Sequence, residues 1–130
     1  MKKFLLIVAL GLGSLSAAFA QNVAEPVKSE VSQAVSLTEE EKVNHLIEYL
    51  RHLSGSVFIR NGEEYPPDKA ADHLLSKWNK HKKKVKTAQG FVDRLATYSK
   101  TKEPYQIRLQ DGHMVRCGDL LSQELKRIEL

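Results

Sequence analysis

Two dipeptides, Asn61-Gly62 and Asp111-Gly112, constrain this chain more tightly than any other feature. Each stands between short runs of strand-forming residues. Val57-Phe58-Ile59-Arg60 and Glu63-Glu64-Tyr65 flank the first, while Tyr105-Gln106-Ile107-Arg108-Leu109 and His113-Met114-Val115-Arg116 flank the second. A tight hairpin turn needs positive φ at its centre to match the twist of the strands, and Asn, Asp and Gly supply it at the lowest cost. The chain is therefore expected to fold back on itself twice as antiparallel pairs.

Helical patterns fill most of the remaining length of this segment. Ser36 or Thr38 can cap a first helix, each with a Glu three residues on (Glu39, Glu41), the capping-box spacing. Val43, Leu46, Ile47, Leu50 and Leu53 then form one apolar stripe, Gly55 stops the helix, and His45, Glu48 and His52 are expected on the wet face. Pro67 suits the first position of a second helix, expected to run to the mid-80s with Ala71, Leu74, Leu75, Trp78 and Val85 inward. Thr87 caps a third, with Phe91, Val92, Leu95, Ala96 and Tyr98 as its apolar contacts. Gly118-Asp119 opens a last helix that buries Leu120, Leu121, Leu125 and Ile128. The expected order is α-β-β-α-α-β-β-α: one α+β domain over residues 37–130, about four helices with two short antiparallel β-hairpins.

Ahead of that domain, Lys2 and Lys3 precede the apolar run Phe4–Leu10, and small residues lead to Ala18-Phe19-Ala20. This is the pattern of a secretory signal peptide over residues 1–20, cut after Ala20. The run is too short for a permanent membrane span, and no stable membrane insertion is expected. Residues 21–36 carry no aromatic side chain and no period, and read as a flexible arm. The expected product is a soluble periplasmic or secreted protein. Lys2 and Lys3 account for two of the +4 formal charges, so the mature chain is only mildly basic. The single cysteine, Cys117, cannot form an internal disulfide, and stability must come from packing. Cys117 reads either as a reactive or intermolecularly paired thiol, or as a half-buried small apolar residue beside a turn.

Four motifs appear in order: Phe58-Ile59-Arg60-Asn61-Gly62-x-Glu64-Tyr65, Ala71-x-His73-Leu74-x-x-Lys77, Thr87-Ala88-x-x-Phe91-Val92-Asp93 and Pro104-Tyr105. Over about residues 38–112 the chain resembles the YfeK-like family of small exported bacterial proteins of unassigned function. The resemblance implies a shared fold and a periplasmic address, and brings no activity. Ser99-Lys100-Thr101-Lys102-Glu103 departs from the serine-rich connector usual in that family, so nothing is carried over to this loop.

The residues offer limited chemistry. His45 and His52 lie seven residues apart, about 10.5 Å along a helix, too far to share one zinc. Glu48 and His52 supply two ligands without a third nearby, and no metal or cofactor is expected. Cys117 with His73 or His113 holds the elements of a thiol–imidazole pair, unsupported by any serine-hydrolase motif or phosphate loop. Two polar groupings stand out. Arg60, Asn61 and Glu64 surround the first turn, with His73 and Lys77 one helical turn apart soon after. Converged, the five would hold a carboxylate, sugar or phosphate. They would equally serve the fold, with Arg60 pairing Glu64 and His73 bonding backbone. The second grouping is a basic stripe of Lys77, Lys80, Lys83, Lys84 and Lys86, in a stretch where Lys or His fills seven of the ten positions 77–86. It reads as a contact surface for an anionic partner or as a solvated face. Outside the cytoplasm such partners include lipid head groups, lipopolysaccharide, cell-wall carboxylates and acidic proteins. No nucleic-acid-binding module is recognisable. The expected role is a non-catalytic binding or interaction module of the bacterial cell envelope that uses a basic helix face. Its alternatives are a small periplasmic hydrolase with a Cys/His or His/Glu site, and an inhibitor or immunity-type protein whose basic face occludes an acidic active site.

Overall fold

A computed structural model describes residues 36–130; the expected signal peptide and nearly all of the arm lie outside the described residues. Helix α1 spans Glu39–Arg51 and starts at a complete capping box: the Glu41 amide donates to Thr38 Oγ1 (3.1 Å), and the Thr38 amide donates to Glu41 Oε1 (3.3 Å). Val43, Leu46, Ile47 and Leu50 are buried along one stripe, as their spacing requires. Strands β1 (Val57–Arg60) and β2 (Glu63–Tyr65) follow, joined by a two-residue turn in which Asn61 (φ 52°) and Gly62 (φ 82°) both take positive φ.

Helix α2, Pro67–His81, carries Pro67 at its first position and buries Ala70, Ala71, Leu74 and Trp78. It ends earlier than its pattern suggests. The Lys84 and Val85 amides both return to the His81 carbonyl (2.9 Å each), which turns the chain over Lys82–Lys84 and drops Val85 into the core. Lys83, Lys84 and Lys86 therefore leave the helix face on which the basic stripe was expected. Thr87 caps the short helix α3, Ala88–Gly90, by accepting the Gly90 amide (2.9 Å). α3 runs directly into a π-helical turn, Phe91–Leu95, closed by the Ala96 amide on the Phe91 carbonyl (3.0 Å). Strands β3 (Gln106–Arg108) and β4 (Met114–Arg116) lead into helix α4, Cys117–Ile128. The β3–β4 turn differs from the first. The Leu109 amide meets the His113 carbonyl (2.8 Å), leaving a three-residue loop in which Gly112 alone takes positive φ (94°). That is a turn closed by one left-handed glycine.

The fold is α+β in the expected order, and the two hairpins merge into one four-stranded antiparallel sheet, β2-β1-β3-β4. Phe58 pairs Tyr65 on one side and Ile107 on the other, and Ile107 pairs Val115. Alternation puts all four on the inner face against the helices. A lone hairpin is marginal in water; joining the two gives a sheet wide enough to support a core. α1 packs against both α2 and α4. Lys42 bonds Glu39 and Glu129 (2.9 Å each), tying the start of α1 to the end of the chain.

Candidate functional site

Arg60 is the last residue of β1 before the turn. The register pairs it with Glu63, so both project from the inner face, while Glu64, opposite Ile59, projects from the outer one. Glu64 accordingly takes no part in a cluster with Arg60. It accepts two hydrogen bonds from Arg108 (3.0 and 3.1 Å), reaching across β1 on the outer face, and Arg108 holds its carboxyl below the usual carboxylate range. The expected Arg60–Glu64 pair does not form.

Arg60 instead meets α2. Its guanidinium lies 3.2 and 3.4 Å from the two ring nitrogens of His73, 3.4 Å from the Tyr65 hydroxyl and 5.3 Å from the centre of the Tyr65 ring. Its Nε is buried and has no partner. One turn along α2, Lys77 donates to the Tyr105 hydroxyl (3.0 Å) and to the Tyr98 carbonyl (3.2 Å). His73 Nε2 lies 3.0 Å from the same hydroxyl. Tyr105 is the floor of this arrangement: 1% exposed, its ring tilted on Phe58 (5.0 Å between centroids) and edge-on to His73 (5.8 Å).

The electrostatics follow from this crowding. Burial first, then Arg60, Lys77 and Lys80, push the His73 imidazole down to about 4, so it is neutral at neutral pH. Burial, then Arg60 and Lys100, lower the Lys77 ammonium. Burial raises the Tyr105 phenol, with Arg60 opposing. Ion pairs elsewhere engage Arg51, Arg108 and Arg127 with carboxylates, but among the described residues no carboxylate lies within ion-pair distance of Arg60 or Lys77.

These groups open into a cleft of about 870 Å³ between the first turn, α2, the π-turn and the 98–104 loop. Six cationic side chains line it (Arg60, Lys77, Lys80, Arg94, Lys100, Lys102) against one carboxylate, Asp93. Asn61 stands at the rim, where its Oδ1 accepts from Ser99 Oγ (2.9 Å) and Thr101 Oγ1 (3.0 Å) and ties the hairpin to the loop. Lys102 sits at φ 71°, a left-handed conformation that a lysine adopts at a cost. Such strain is concentrated where loops are held for a purpose.

Of the residues singled out from sequence, Arg60, His73 and Lys77 converge, Asn61 and Lys80 border the same cleft, and Glu64 faces away. Lys83, Lys84 and Lys86 are exposed and lie outside the cleft, and their neighbour Lys82 pairs with Glu40 (3.1 Å). Sequence reasoning missed Tyr105, Arg94, Lys100 and Lys102. The two loop lysines were visible as unbalanced charge, but nothing local links them to the hairpin.

The catalytic alternatives find little geometry. Cys117 is the first residue of α4, fully buried, and burial pushes its thiol up to about 12. His113 pairs with Asp111 in solvent (3.0 Å). His45 is not on a free wet face: its Nε2 lies 2.6 Å from Glu124 Oε2, a carboxylate only 6% exposed. Arg127 donates two bonds to that carboxylate (2.9 and 2.7 Å) and drives it down to about 2. This clasp joins α1 to α4 away from the cleft. The His52 ring meets the Glu48 carbonyl (2.8 Å). Among the described residues, no three His, Cys, Asp or Glu side chains converge as metal ligands do, and no helix is long and apolar enough to cross a membrane.

Comparison with known proteins gives the chain relatives without assigning it a role. The chain is similar to the uncharacterized protein YfeK of Salmonella typhimurium, 31% identical over 72 residues that make up 55% of this chain. The match spans about 60% of the length of that curated relative. No solved structure matches. Residues 37–129 match the family of unknown function DUF5329, and the chain belongs to that family.

Proposed function

We propose that this protein is a non-catalytic binding module of the bacterial cell envelope, and that the cleft between the first turn, α2 and the 98–104 loop holds an anionic ligand. One observation carries this reading. Arg60 and Lys77 are half-buried on either side of a neutral imidazole, Lys77 on the Tyr105 hydroxyl and Arg60 on that of Tyr65. Among the described residues neither makes an ion pair: the register partner of Arg60, Glu63, accepts from the Tyr65 hydroxyl instead (2.6 Å). Desolvating two like charges without a counter-ion is unfavourable, and a fold that keeps them this way is suited to receive the counter-charge from outside. Guanidinium and ammonium donors together suit a carboxylate or phosphate, bound by charge-assisted hydrogen bonds. The basic contact surface thus belongs to the cleft and not to a helix stripe. The envelope address rests on the N-terminal pattern Lys2–Ala20. Fractionation of the producing cell and an intact mass beginning at Gln21 test it.

The binding claim is tested by titrating the protein with inorganic phosphate and acetate, followed by calorimetry and by the His73 ring resonances. Saturable binding is expected, weakened at least tenfold in Lys77→Met and falling as salt rises. The bound anion should raise the His73 pKa. Absence of saturable binding, or equal binding by Lys77→Met, overturns the reading.

A further inference from the structure

Arg60 and His73 have a second side. Behind them lies another cavity of about 340 Å³, lined by Phe58, Tyr65, Lys69, Ala70 and Asp72 together with Arg60 and His73 themselves. Its character differs from that of the cleft. Phe58 and Ala70 are 2% and 1% exposed, Tyr65 packs against the core, and Asp72 is already engaged by Arg51 (3.0 Å). One cavity is therefore rich in cationic side chains, the other lined mainly by apolar surface, and they share a wall of two side chains. The volume of the apolar one lies at the small end of the range for small-molecule sites, which are mostly apolar with a few placed polar groups. The shared wall is loosely held: Arg60 contacts its neighbours at 3.2–3.4 Å and keeps one donor, Nε, without a partner.

We infer that the ligand is an amphiphilic acid: one carboxylate or phosphate head joined to a compact apolar body, an aryl ring or a short acyl chain. This rests on the anion-binding reading above and adds the chemistry of the rest of the ligand. The head lies between Arg60 and Lys77 above the Tyr105 hydroxyl. The body passes the Arg60–His73 contact and packs on Phe58, Tyr65 and Ala70. A simple anion would use the cleft alone and leave the apolar cavity without an occupant. A sugar acid would need several hydroxyl partners, yet the Ser99 and Thr101 hydroxyls at the rim are engaged with each other and with Asn61 Oδ1, which leaves few for it.

The test is a chain-length series on the intact protein: acetate, butyrate and hexanoate, with benzoate as the aryl member and glucuronate as the sugar acid. Affinity should rise about fourfold per buried methylene. Hexanoate should then exceed acetate on the order of a hundredfold. Magnetisation transfer should connect the ligand chain to the Ala70 methyl. Ala70→Leu places bulk in the cavity and should erase the chain-length gain while acetate still binds. Tyr65→Ala removes one wall and should reduce the hexanoate-to-acetate ratio, and it decides the matter if Ala70→Leu does not fold. Equal binding across the series overturns this inference and leaves the anion site standing. Glucuronate binding above hexanoate overturns it as well, as does a chain-length gain that survives in both folded variants. Failure of every anion to bind removes both proposals.

Discussion

Replacing Arg60 by Met removes the guanidinium and keeps an unbranched stem of similar reach, which makes Arg60→Met a sharp test of whether this arginine serves the fold or a ligand. The losses are small. The contacts to the Tyr65 hydroxyl and the His73 ring come from a charged donor but are long, and together are worth about 1–2 kcal/mol. The cation over the Tyr65 ring adds about 0.5–1 kcal/mol. On the other side stands a buried Nε donor without a partner, which costs about 1–3 kcal/mol while it remains. Removal of the charge also relieves repulsion with Lys77, whose ammonium Arg60 destabilises. Losses and gains nearly cancel, so without ligand the melting temperature should stay within about 4 °C of the wild type for a domain of this size. Anion affinity should fall at least tenfold, about 1.4 kcal/mol. Thermal melts in an anion-poor buffer, with and without added phosphate, read both effects. The wild type gains stability from the ligand by mass action, and the variant gains little. A variant that melts 5 °C or more below the wild type, without ligand, would make Arg60 a structural residue and remove the reason to look for its counter-ion.

The remaining predictions concern acid stability, the thiol and one close approach. His73 is neutral in the fold down to about pH 4, against 6.5 as its ordinary value, so its contribution is full above pH 6.5 and is lost as the pH falls through 4. After solvent screening this amounts to about 1–2 kcal/mol, and denaturation midpoints against pH should lose this slope in His73→Gln. Glu124, held at about 2 by Arg127 and His45 against an ordinary 4.5, contributes above pH 4.5 and loses its effect as the pH falls toward 2. Because Arg127 is 64% exposed, about 1 kcal/mol is expected, visible as a flatter acid limb in Glu124→Gln. Cys117 should resist thiol reagents in the native protein at pH 8 and react at the rate of global opening, and Cys117→Ala should retain anion binding; fast native labelling would return the thiol to consideration. Gly118 lies against Thr97, whose Cβ and Cγ2 would be 3.2 Å from an added methyl, with Oγ1 closer still. Gly118→Ala should therefore lower stability by about 1–3 kcal/mol despite the better helix propensity of alanine, and a stabilised variant would show that the backbones can part.

The legible features were those whose physics is local. Thr38 with Glu41, Pro67, Thr87 and Asn61-Gly62 act within three or four residues, through a cap bond or a φ value, and each performs its expected task. The candidate site was half legible. His73 and Lys77 share a helix face by spacing alone. The turn that Asn61-Gly62 forms, however, pairs Arg60 with Glu63, and alternation then sends Glu64 to the other face. That consequence follows from the two-residue loop alone. The end of α2 is not legible locally: the lysines after His81 continue a good helical pattern, while the burial of Val85 and Ala88 requires the chain to turn.

Sequence alone determined the order of helices and strands, the first hairpin turn and the apolar faces, because each depends on neighbouring residues and on conformational preferences that travel with them. Tertiary structure decided that Phe58 meets Ile107 and fuses two hairpins into one sheet. It also decided that Tyr105 floors a cleft between Arg60 and Lys77, and that Glu124 claims His45. Those contacts join residues far apart in the chain, and their energy comes from burying apolar area and excluding water around charges, quantities that exist only once the whole domain has closed.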